Sequence, residues 1–200
     1  MDSEKGLVYK SMKEKYDYLE SIIIFLSKQI KSNPGDVFLT TLLDKLGEVA
    51  ISFLDTQREF VHLYLPSGDY SIKEFNEKYD ILYSIADIKP VISKREVDLE
   101  PLPSEKKFDK VYESMQTNYN LTEQGLSIID KQINANPKDE GARNLLDGLG
   151  DFATKVLSMQ VDFVETFADK KDRDNLLKRI SEKEFSLVRG LDQTKNIRVA

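Results

Sequence analysis

Apolar residues recur at alternating spacings of three and four along the chain, the pattern that puts side chains on one side of an α-helix. In the first such stretch they are Tyr9, Met12, Tyr16, Leu19, Ile23, Leu26 and Ile30. A second stretch, from about residue 34 to residue 65, carries Leu39, Leu42, Leu46, Ala50, Phe53, Gln57, Phe60 and Tyr64. Between them stands Asn33-Pro34-Gly35-Asp36. Pro ends the preceding helix and suits a first turn, Asn is a capping residue, and Asp faces the positive helix end. The pattern predicts a long helical hairpin.

The same pattern occurs a second time, 103 residues further on. When residues 8–65 are laid over residues 111–168 without a gap, 22 of the 58 positions are identical. The matches include Val-Tyr-x-Ser-Met at the start, Asn-Pro-x-Asp at the turn and Leu-Leu-Asp-x-Leu-Gly beyond it. The second copy of the first seam is Tyr112, Met115, Tyr119, Thr122, Leu126, Ile129 and Ile133. The sequence therefore predicts two copies of one structural unit.

A shorter third helix is predicted after each hairpin. After the first hairpin Ser71 is its expected cap and residues 72–86 its span, and after the second it covers residues 172–191. The two do not align, which indicates divergence or different roles. Gly47, Gly148 and Gly150 fall inside helices, which costs about 1 kcal/mol each relative to Ala. Their position indicates close approach of a neighbouring backbone, with the third helix as the candidate, and a helix break is the alternative.

The predicted architecture is all-α. A lone hairpin cannot bury its apolar seam, whereas two hairpins facing each other can, so we expect an antiparallel four-helix bundle with pseudo-two-fold symmetry and two shorter accessory helices. Two separate three-helix bundles are the alternative. Residues 1–200 then form one domain, with repeat A at about 3–88, a proline-containing connector at 89–103 and repeat B at about 104–191.

Composition excludes several classes of site. There is no cysteine, and His62, on the outward side of its helix, is the only histidine, so thiolate and multi-histidine metal sites are excluded. The formal net charge of −6 argues against nucleic-acid binding. The longest apolar run, residues 22–26, is far short of a membrane span, and the acidic start does not resemble a signal peptide. We expect a cytoplasmic protein with no cofactor.

Two equivalent glutamines, Gln57 and Gln160, fall near the centre of the apolar face. A buried amide needs hydrogen-bond partners, and each glutamine is the obvious candidate for the other. We interpret them as a buried polar pair that fixes helix register. A ligand cavity around them is the alternative.

Two pairs of acidic residues share a helix face at a spacing of four: Asp44 with Glu48, and Asp147 with Asp151. Their surroundings, residues 43–50 and 146–153, resemble the acidic E/D-x-x-x-D motif of PhoU-type phosphate-signalling regulators. That resemblance implies a regulator that binds metal through surface carboxylates, with these four residues as candidate ligands. The helical wheel also puts them opposite the core seam, where an ordinary solvated face is expected.

A second apolar line runs along the opposite side of the first helix of each hairpin. It consists of Tyr18 and Phe25, repeated as Leu121 and Ile128. The third helix is the expected cover of this line. If it lies elsewhere, the line is an interface for a homodimer or an unidentified protein partner.

The repeated Val-Tyr-x-Ser-Met and Asn-Pro-x-Asp strings, the Lys/Glu-rich surface and the absence of cysteine resemble an uncharacterised archaeal all-α family built from a duplicated helical hairpin. This resemblance implies six helices and no assigned activity. The chain lacks the Gly-x-Ser-x-Gly, P-loop and dinucleotide-binding strings, and no catalytic residue is predicted. The leading hypothesis is a non-enzymatic interaction or scaffold protein.

Overall fold

The computed structural model describes residues 4–65, 72–86 and 103–197. They form the α-helices α1 (Glu4–Ser32), α2 (Val37–Tyr64), α3 (Ile72–Ala86), α4 (Ser104–Ala135), α5 (Glu140–Phe167) and α6 (Lys170–Lys195). No strand occurs within these ranges, and the all-α prediction is confirmed. The predicted cap Ser71 and residues 89–102 of the predicted connector lie outside the described residues.

The turn of each hairpin is closed by an aspartate. Asp36 Oδ1 accepts the backbone N–H of Leu39 at 3.1 Å, and Asp139 Oδ1 accepts that of Ala142 at 2.9 Å. The aspartates act as the caps because each stands just before its helix, where its side chain reaches the free backbone N–H groups of the first turn. Gly35 precedes Asp36 with φ of 109°, a conformation that favours glycine.

The four long helices share one hydrophobic core. α1 packs against α2 and α5, and α4 packs against the same two helices, so α2 and α5 lie diagonally across the bundle. Aromatic rings bridge that diagonal, with Phe53 5.9 Å from Phe152 and Phe60 6.2 Å from Phe163 between centroids. No helix within the described ranges is both long enough and apolar enough to cross a bilayer.

One hydrogen bond between the two hairpins occurs in two equivalent copies. Ser11 Oγ in α1 donates to Asp162 Oδ2 in α5 at 3.2 Å, and Ser114 Oγ in α4 donates to Glu59 Oε2 in α2 at 2.8 Å. The two serines, and the two acids, are each 103 residues apart. Reciprocal contacts of this kind are what a two-fold arrangement of like halves produces. That the halves arose by duplication stays a prediction.

The third helices occupy matching places although their sequences do not align. α3 packs on α2 and α1, and α6 packs on α5 and α4. Lys78 Nζ of α3 lies 4.4 Å from the ring centroid of Tyr16, and Lys183 Nζ of α6 lies 5.3 Å from that of the equivalent Tyr119. Each third helix therefore places a lysine over the same buried tyrosine of its own hairpin, within cation–π range.

Candidate functional site

The two central glutamines are buried, but their amide nitrogens are used within separate hairpins. Gln57 is 1% exposed and its Nε2 donates to the backbone oxygen of Met12 at 3.2 Å; Gln160 is fully buried and its Nε2 donates to that of Met115 at 3.0 Å. The expected bond from each amide nitrogen to the other glutamine is absent, because a backbone carbonyl of the neighbouring helix lies closer. Gln160 Oε1 has no hydrogen-bond partner. Gln57 therefore links α2 to α1, and Gln160 links α5 to α4.

The four candidate metal ligands lie on the outer faces of diagonal helices. Asp44 and Glu48 are exposed on α2, and Asp147 and Asp151 are exposed on α5. Three of them pair with lysines, namely Glu48 with Lys45, Asp147 with Lys195 and Asp151 with Lys155. Within the described ranges, no group of three or more histidine, aspartate or glutamate residues is placed to hold a metal ion.

The surroundings of Asp151 change the acidity of its carboxyl group. A hydrogen bond from the Lys155 ammonium lowers the pKa of this carboxyl, opposed by partial burial and helped by a hydrogen bond from the Tyr18 hydroxyl. Lys155 Nζ also lies 4.8 Å from the Tyr18 ring centroid. The Asp151 carboxylate therefore already has two hydrogen-bond partners within the chain, the Lys155 ammonium and the Tyr18 hydroxyl.

The second apolar line is covered differently from the expectation. Tyr18, Leu121 and Ile128 are half-buried against the core, whereas Phe25 is 46% exposed. The Tyr18 ring stacks on Phe152 of α5 at 6.5 Å between centroids, so a long helix of the other hairpin covers it. The expectation that the third helix covers Tyr18 was wrong, since α1 turns this side toward α5.

An open groove of about 560 Å³ lies between α4, α5 and α6. We call it the α4–α6 groove. Its apolar floor is made by Leu126, Leu146, Leu187, Leu191 and Ile197. Glu123 and Asp130 are its charged lining residues, the others being serine, threonine, asparagine, glutamine and glycine, so none of the described residues that line it is basic. The groove therefore combines an apolar floor with two negative charges.

Hydrogen bonds hold the C-terminal end of α6 in place beside this groove. Thr194 Oγ1 donates to Asp130 Oδ1 of α4 at 2.7 Å. Arg143 of α5 donates through Nη2 to the backbone oxygen of Ile197 at 2.9 Å. Because α4 and α5 both anchor α6 there, the groove is framed by fixed helices. It was not predicted from the sequence, since Asp130 and Thr194 lie 64 residues apart and neither belongs to a recognisable motif.

The outer side of α6 carries a second feature that was not predicted from the sequence. Phe185 is 70% exposed and Val188 is 46% exposed, while Ile180 and Leu187 on the inner side are buried. The spacing of three between Phe185 and Val188 was the available signal. It was masked by the stripe of Leu177, Ile180, Leu187 and Leu191, which by itself accounts for an amphipathic helix.

Comparisons with family models, with curated proteins and with solved structures find no match. Function is consequently inferred from the geometry of the two α6 surfaces alone.

Proposed function

We propose that this protein is a non-enzymatic helical-bundle interaction module that binds a protein partner in the α4–α6 groove. The observation that carries the proposal is the chemistry of the groove, in which five aliphatic side chains lie beneath two carboxylates and none of the described lining residues is basic. An open apolar groove between helices is the kind of surface into which an amphipathic helix lays its apolar side.

The charge of the groove supports a basic partner. Glu123 and Asp130 both line its α4 side. Buried apolar contact supplies most of the affinity in such an interface, and complementary charge supplies orientation and discrimination. The partner that fits is a basic amphipathic helix, with leucine-like side chains on the floor and lysine or arginine beside the two carboxylates.

Gly190 offers a test that leaves the fold intact. It lines the groove, and a Cβ built on it meets no heavy atom within 4 Å. A larger side chain there enters the groove, and replacing a helical glycine also raises helix propensity. Loss of binding in Gly190→Leu therefore reports a filled groove, and Gly190→Ala is the matched control with little added volume.

The probe is a synthetic amphipathic helix of leucine and lysine, titrated into isotope-labelled protein and followed by NMR. We expect shifts centred on the groove, retained affinity in Gly190→Ala and at least tenfold weaker binding in Gly190→Leu. General attraction to the negative chain is the same in all three proteins, because these substitutions leave the net charge unchanged. Equal binding by Gly190→Leu, or equally tight binding of a leucine–glutamate peptide, would overturn the proposal.

A further inference from the structure

A continuous set of exposed residues runs along α6 on the side away from the bundle. We call it the α6 outer strip, and its members are Lys178, Glu182, Phe185, Val188, Arg189 and Asp192. Their successive spacings of four, three, three, one and three keep them within one side of a helix at 3.6 residues per turn. Phe185, 70% exposed, stands at the centre with charged residues on both sides along the helix.

The charged residues before Phe185 on this strip are opposite in sign to those at about the same distance after it. Lys178 lies seven residues before Phe185 and Asp192 lies seven after it, while Glu182 lies three before and Arg189 four after. When two copies of α6 lie antiparallel with their Phe185 residues opposed, Lys178 of one copy faces Asp192 of the other. In the same register Glu182 lies opposite Val188, one residue away from Arg189 and within reach of its long side chain. Each contact occurs twice because the arrangement has a two-fold axis.

We propose that the protein forms a homodimer through antiparallel packing of two α6 outer strips, centred on Phe185. A parallel arrangement opposes each charge to its own copy and is disfavoured, so the charges select the antiparallel register. That register closes the assembly at two copies. Within one chain the Lys178–Glu182 pair is 3.9 Å long with side chains 76% and 66% exposed, so Glu182 is available to a partner.

The expected dimer is weak and sensitive to salt. Two helices in contact bury less surface than the roughly 1,200–2,000 Å² of a stable interface. Four exposed ion pairs contribute chiefly to register, and their contribution falls as ionic strength rises. We therefore expect concentration-dependent dimerisation in the micromolar range at low salt.

A charge swap between two variants tests the register. Glu182→Arg places arginine within reach of Arg189, and Arg189→Glu places glutamate within reach of Glu182, so each variant alone should be monomeric in sedimentation velocity. In a mixture of the two variants, the arginine introduced at position 182 is within reach of the glutamate introduced at position 189, and the unchanged Arg189 of one is within reach of the unchanged Glu182 of the other. The mixture should therefore form a heterodimer. Both changes are on exposed side chains, and Glu113→Arg on α4 is the matched surface control that should dimerise like the unmodified chain.

Each other result would overturn the proposal: a monomeric unmodified chain at millimolar concentration and low salt, a variant that still dimerises alone, or a mixture that stays monomeric. Phe185→Ser should also abolish the dimer. The dimer proposal and the groove proposal can be refuted independently, because Gly190 lies about 140° around the helix from Phe185. Gly190→Leu should dimerise normally, and the charge variants should bind the leucine–lysine probe normally.

Discussion

Two glycines of α5, two residues apart, should respond in opposite ways to the same substitution. A Cβ on Gly148 would lie 4.0 Å from Ile22 Cδ1, an ordinary van der Waals contact. A Cβ on Gly150 would lie 2.9 Å from Leu191 Cδ1 and 3.1 Å from Cδ2, too close without movement of α6 or of the leucine. Both positions are helical, so alanine brings about 0.8–1.0 kcal/mol of helix propensity at each.

The two variants differ in the steric cost of the added methyl group. Gly148→Ala should stabilise the protein by about 1 kcal/mol, which corresponds to about 2–4 °C in Tm for a chain of this length. Gly150→Ala gains the same propensity but must displace the methyl groups of Leu191. Because these methyls are the far end of a flexible, half-buried side chain, the cost lies at the lower end of the about 1–3 kcal/mol that overpacking brings. The difference in unfolding free energy between the variants should therefore be about 1 kcal/mol in favour of Gly148→Ala.

Urea denaturation followed by circular dichroism measures both variants, and a Leu191→Ala background supplies the control. Removing the leucine side chain removes the clash, so Gly150→Ala in that background should recover nearly the full propensity gain while Gly148→Ala is unaffected. The coupling between positions 150 and 191 is then the cost of the clash. Equal effects of the two glycine substitutions in both backgrounds would refute the assignment of Gly150 as a close-contact site for α6.

Three further predictions concern other parts of the bundle. Asp36→Ala and Asp139→Ala should each lower the free energy of unfolding by about 1 kcal/mol in urea denaturation, because each removes a helix cap. The matched asparagine variants should retain most of that free energy. Thr56→Val should lower the free energy of unfolding by about 1–3 kcal/mol, because the buried Asn118 Nδ2 would lose the partner to which it donates at 3.0 Å, Thr56 Oγ1. Thr56→Ser keeps the hydroxyl and should have a small effect. Burial, with a smaller contribution from Asp109, raises the pKa of Tyr64 from 10.0 to about 12. The stability that the Tyr64 hydroxyl contributes is therefore intact below pH 10 and is lost as the pH rises toward 12. In Tyr64→Phe the midpoint of urea denaturation should decline less steeply over this alkaline range.

The hairpins could be predicted from sequence because their signals are local and periodic. The seam of α1 was read from spacing alone, and residues such as Met12, Tyr16 and Leu19 are buried as expected. Spacing reports which side of a helix is apolar, whereas the identity of the covering helix depends on where the chain returns. Tyr18 shows this limit, since its cover is Phe152 of α5 and not α3.

Hydrogen-bond partners were less predictable than burial. The repeated position of Gln57 and Gln160 correctly indicated two buried amides, but the competing acceptor was a backbone oxygen, and every helix residue offers one. The candidate ligands Asp44 and Asp147 share a repeat position as well, yet equivalence under the repeat placed them on diagonal helices and did not bring them together. Repetition in sequence implies equivalent surroundings and says little about proximity.

The proposed interfaces arise where the two halves differ. When the third helices are matched by the lysines over Tyr16 and Tyr119, Phe185 of α6 corresponds to the exposed Asp80 of α3, and Arg189 corresponds to Ser84. The matching surface of α3 therefore lacks both the apolar centre and the arginine that an antiparallel pair requires. Lys178 and Glu182 of the strip correspond to Lys73 and Glu77 in the same match, so the two outer sides differ at the centre of the strip and at Arg189. These two positions make α6, and not α3, the proposed site of the dimer contact, although both helices occupy matching places in the fold.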